Sequence, residues 1–73
     1  MTRQEHMEWC KKRAMEYVEQ GDLLNGVTSM MSDLDKREDT KLGPALTQLG
    51  LFAAMQAQQG DRQGVERFIV GFN

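Results

Sequence analysis

Apolar side chains recur at helical spacing along almost the whole chain. Met7, Cys10, Ala14, Tyr17 and Val18 fall within a sector of roughly 100° when wound at 3.6 residues per turn. Leu23, Leu24, Val27, Met30, Met31 and Leu34 form a second and clearer stripe. Ala45, Leu46, Leu49, Phe52 and Ala53, extending towards Met55–Ala57, give the expected inner side of a third helix. Val65, Phe68 and Ile69 give that of a short fourth. The residues between the stripes are stop and start signals. Thr2 and Glu5 have the spacing of a capping box. Gly21, Gly60 and Gly71 stand where helices end. Asp22 and Asp61 stand where acidic caps belong, and Gly43-Pro44 opens a helix with proline at its first position. The pattern predicts helices over about 3–20, 23–37, 44–59 and 62–70, with a loop over 38–41. The fold class is all-α: a compact three- to four-helix domain made of two helical hairpins, residues 1–73 forming one domain.

An internal echo runs through this order. Gln20-Gly21-Asp22 followed by Gly26-Val27 is repeated by Gln59-Gly60-Asp61 followed by Gly64-Val65. The rhythm is similar to tetratricopeptide-like helical hairpins. That family's period is 34 and its aromatic and proline pattern is missing, so a closed bundle is expected over a repeat array.

Composition narrows the class further. With 73 residues the core is worth only roughly 3–5 kcal/mol net unless a metal, a disulfide or a second subunit adds to it. Cys10 is the single cysteine, so no intramolecular disulfide forms, and a lone thiol without a signal peptide fits a reducing cytosol. No apolar run reaches the roughly 20 residues of a membrane span. The net charge of -2 is spread along the chain, and only Lys11-Lys12-Arg13 is locally basic, flanked by Glu8 and Glu16. This argues against nucleic acid, whose binders carry a basic stripe to neutralise phosphate.

Chemistry finds little foothold. His6 and Cys10 share a helix face four residues apart, but zinc needs two further ligands and no other His or Cys exists. A partly buried histidine and thiol are expected instead, with no metal and no cofactor. Asp33, Asp35, Glu38 and Asp39 lack the spacing of a calcium loop and read as a solvated helix end. No nucleophile stands in a recognisable catalytic context, so an enzyme ranks last.

Surface positions carry more information. Trp9 lies more than about 100° from the centre of the first stripe, on the side of Arg13 and Glu16. It either covers a helix edge or awaits a partner, where Trp and Arg are favoured anchors. Met15 and Met55 flank their stripes, as core packing first and as an adaptable binding surface second. Phe72 follows the last glycine and is expected to fold back as a clamp. The candidate partner-binding residues are Trp9, Arg13, Met15, Arg67 and Phe72, with an exposed patch expected around Trp9, Arg13 and Arg67.

The segments His6-Met-Glu-Trp9-Cys10-Lys11-Lys12-Arg13-Ala14-Met-Glu16-Tyr17-Val18, Gly21-Asp22, Met30-Met-Ser32-Asp33-Leu34 with Lys36, and Val65-Glu-Arg67-Phe68-Ile69-Val-Gly71-Phe72-Asn73 resemble a group of small helical proteins encoded by tailed bacteriophages. The likeness covers both ends and the first hairpin; over 38–59 only length and character agree. It brings no catalytic or ligand residues with it. It implies an accessory protein in the cytoplasm of the infected bacterial cell, acting stoichiometrically on a host, defence or phage protein, for instance as an inhibitor in host takeover. A self-associating structural or assembly component, a homo-oligomer, is the second reading. A nucleic-acid-binding regulator is the third.

Overall fold

In the computed structural model, which describes residues 2–72, the chain forms four helices: α1 (Arg3–Glu19), α2 (Leu23–Leu34), α3 (Pro44–Gln58) and α4 (Arg62–Val70). Local chemistry accounts for most of their boundaries. The Thr2 hydroxyl accepts from the Glu5 amide at 3.1 Å, and the Glu5 carboxylate accepts from the Thr2 amide at 2.8 Å, closing the capping box. Gly21 and Gly60 take φ of +82° and +76°, the left-handed conformation that ends a helix and that a side chain would strain. Asp61 caps α4 by accepting from the Gly64 amide at 3.0 Å.

Asp22 departs from that scheme. Its side chain makes no cap hydrogen bond and instead accepts from the Asn25 side-chain amide at 2.6 Å. A short side chain offered a nearby amide donor satisfies itself there, leaving the first backbone N–H groups of α2 to other acceptors. Glu8, at helical spacing from Lys12, accepts instead from the Gln4 side-chain amide at 3.4 Å.

Helix α2 ends at Leu34, three residues short of the expected 37. Polar side chains of the loop intercept the chain there. Thr40, buried, donates its hydroxyl to the Leu34 carbonyl at 2.7 Å, and Asp35 accepts from the Leu42 amide at 3.2 Å. The first gives the orphan carbonyl of Leu34 a partner, and the two together fold 35–42 tightly back.

Helices α1 and α2 form the first hairpin. They approach closely at Gly26, where a Cβ would stand 2.9 Å from Val18 Cγ2 and 3.1 Å from the Ala14 carbonyl oxygen. Helices α3 and α4 form the second hairpin, and α4 closes against both α1 and α2. Met7, Cys10, Ala14 and Val18 meet Val27, Met30 and Leu34, with Ala53, Val65, Ile69 and Phe72 completing the core. Among the described residues α3 touches α2 and α4 but not α1, so it lies at the edge of the bundle.

Helix α3 presents a different face inward from the one its sequence suggested. Gly50 and Ala53 are buried, and Ala54 and Ala57 pack beside them, while Ala45, Leu46, Leu49, Phe52 and Met55 stay exposed. This helix is apolar almost all round, so periodicity cannot choose its inner face. The small residues choose it, because only they allow the close approach at which Gly50 lies against Met31.

Candidate protein-binding surface

Trp9 and Arg13 meet at a buried carboxylate. Asp33, 2% exposed, accepts from Arg13 Nε at 2.9 Å through one oxygen and from Lys36 Nζ at 3.0 Å through the other. Its backbone carbonyl accepts at 2.8 Å from His6 Nε2, which fixes the proton on that nitrogen. The Trp9 ring is held over this cluster. It stacks on His6 with centroids 5.7 Å apart, and the Arg13 guanidinium and the Lys36 ammonium stand 4.8 Å and 5.4 Å from its centroid. The half-buried tryptophan therefore covers the α1–α2 edge, one of the two roles open to it. Asp33 is not part of a solvated helix end; its ion pairs with a residue 20 positions earlier pull it inward.

The local basic run is dispersed by the same contacts. Arg13 serves Asp33, and Lys11 donates to the Val70 carbonyl at 3.2 Å. Cys10 is enclosed, with Sγ 3.5 Å from His6 Nε2. Burial pushes its thiol up from 9.0, and the charge of Asp33 pushes it further, so the sulfur stays protonated at neutral pH. Among the described residues no three His, Cys, Asp or Glu side chains group closely enough to hold a metal ion. No helix among the described residues is long and apolar enough to cross a membrane.

The other candidates divide. Met15 is half-buried against the core. Phe72 folds back as a clamp, its ring edge-on to Phe68 with centroids 6.2 Å apart. Arg67 is exposed on α4, and its guanidinium makes no ion pair or hydrogen bond among the described residues.

The exposed apolar patch lies elsewhere than around Trp9. Leu49 is 55% exposed, Phe52 60% and Met55 56%, all on the outer side of α3. Beside them a groove of about 500 Å³ runs between α3 and α4, with Leu46, Leu49 and Phe52 on one wall and Arg67, Phe68 and Phe72 on the other. Of the five residues singled out from the sequence, Arg67 and Phe72 belong to this groove, and Trp9 and Arg13 belong to the Asp33 cluster. Leu49, Phe52 and Met55 were assigned to the core or its margin. The signal that separates them is charge: no ionisable side chain occurs from Leu42 to Gly60. A helix at the rim of a bundle ordinarily carries charge on its outer side.

Comparison with protein-family models, with curated proteins and with solved structures finds no match for this chain.

Proposed function

We propose that the protein acts without catalysis, as a stoichiometric binder that docks the outer face of α3 and the α3–α4 groove onto another protein chain. The observation that carries this reading is the uncharged apolar surface of Leu46, Leu49, Phe52 and Met55 on a helix whose inner side is already packed. Contiguous exposed apolar surface of this kind is often an interaction site on a small protein. Compactness supports it as well. The Cα radius of gyration is 11.2 Å, matching the roughly 11 Å of a globular chain this long, so the patch does not come from loose packing. An apolar groove with one unpaired cation suits a helix from a partner, laid in by its apolar side. Together with the likeness to small phage proteins, the reading places the protein in an infected bacterial cell, with a host, defence or phage protein as partner. Internal engagement of Lys11 and Arg13 favours a protein partner over nucleic acid.

Tagged wild-type protein and the Leu49→Glu/Phe52→Glu variant, each passed through host lysate and weighed by native mass spectrometry, test this. The expected result is one protein at fixed stoichiometry on the wild type and none on the variant. A partner retained by the variant would move the site away from α3.

A further inference from the structure

We infer that the chain seated on the outer face of α3 is a second copy of this protein, in a two-fold symmetric pair with α3 against α3. The inference rests on the reading of that face as a docking surface and names its occupant. At a two-fold axis every group meets its own copy, so a charge at the centre of the interface meets a like charge. The centre must be neutral. The outer face of α3 meets that requirement along its whole length, because no ionisable residue lies between Lys41 and Asp61. Its exposed polar members, Gln48 and Gln58, with the C-cap Gln59 after them, carry amides that both donate and accept, so each can pair with itself across an axis. A face shaped for a different protein ordinarily uses charge to steer encounter and reject wrong partners; α3 itself carries none, and Arg67 stands across the groove on α4.

Shape points the same way. Leu49 and Phe52 form a ridge, and the groove beside it opens against Phe68 and Phe72. Knob and hole thus lie side by side on one surface, the arrangement that lets a face fit a rotated copy of itself. The need is also present, since a chain of this length gains little from its own core and a second copy commonly completes it.

Analytical ultracentrifugation of the full chain from micromolar to several hundred micromolar tests the inference, with circular dichroism as the control for folding. The wild type should pass from one to two copies across that range. Phe52→Glu puts two carboxylates near the axis and should weaken the pairing at least about tenfold while leaving helicity unchanged. Mixing Phe52→Glu with Phe52→Lys should restore a two-copy species that neither variant forms alone. A wild type that stays single at every concentration overturns the pairing but leaves α3 open to a different partner, which the lysate experiment reads separately. A pair that forms equally well with Phe52→Glu removes α3 from the interface and overturns the inference, while the lysate experiment still reads α3 as a docking face for a different partner. A mixture that stays single removes the α3-to-α3 geometry.

Discussion

Asp33 ties three groups of the first hairpin together. Its carboxylate holds Arg13 and Lys36, and its carbonyl holds His6, so Trp9 has a fixed bed of one aromatic and two cationic groups. Replacing it by Asn should cost about 2 kcal/mol in urea unfolding, because two charge-assisted hydrogen bonds are lost at a site closed to water. Arg13 and Lys36 are themselves partly exposed and regain solvent, which keeps the loss from being larger. Trp9→Ala should likewise lower stability, and a lysate partner that survives it at full stoichiometry would agree with a tryptophan that serves the fold. None of this hub was legible in the sequence. The Asp33 contacts with His6 and Arg13 span 27 and 20 positions, and no local pattern reports pairings of that range.

The two acidic helix starts look alike in sequence and behave differently. Asp61 accepts from the Gly64 amide, whereas Asp22 is engaged by Asn25. Asp61→Ala should therefore cost about 1 kcal/mol and Asp22→Ala only a few tenths, a contrast that chemical denaturation of the two variants would reveal. The start of α1 also carries a pH dependence. The Thr2 amide and hydroxyl hold the Glu5 carboxyl below its usual 4.5, and Arg37 holds Asp39 below its usual 3.8. Carboxyls whose folded pKa is depressed contribute stability that is present above their unfolded pKa and lost as pH falls through the folded one. The stabilising contribution should be flat above about pH 5 and decline below it, and Glu5→Gln should shrink that decline. The Thr2 and Asp61 caps, the stripes of α1, α2 and α4 and the turn glycines were legible because each is settled within four residues. The end of α2 was not, because Thr40 and Asp35 stop it from within the loop. The inner face of α3 was legible only in part: Ala53 is buried as its stripe suggested, but in a helix with apolar residues on so many sides packing decides where the larger ones go.

For the whole molecule, the four helices divide the labour unevenly. Helices α1, α2 and α4 supply most of the buried core, and α3 contributes Gly50 and Ala53 while turning its larger apolar side chains outward. Leu49→Ala and Phe52→Ala should then each change the stability of the isolated chain by less than about 1 kcal/mol, whereas Ile69→Ala should cost roughly 2–5 kcal/mol. The sequence revealed the number of helices, their order and the candidate Arg67. It drew attention to Trp9 rather than to the exposed apolar residues of α3, because a tryptophan on a polar face stands out more than a leucine in an apolar run. The central claim is that the outer face of α3 is covered when the protein is at work. Hydroxyl-radical footprinting, read by mass spectrometry on the isolated chain at low concentration and on its associated form, measures this directly. The account predicts strong protection of Leu49, Phe52 and Met55 on association and little change at Trp9. Unchanged labelling of α3 with new protection at Trp9 and Met15 would contradict it.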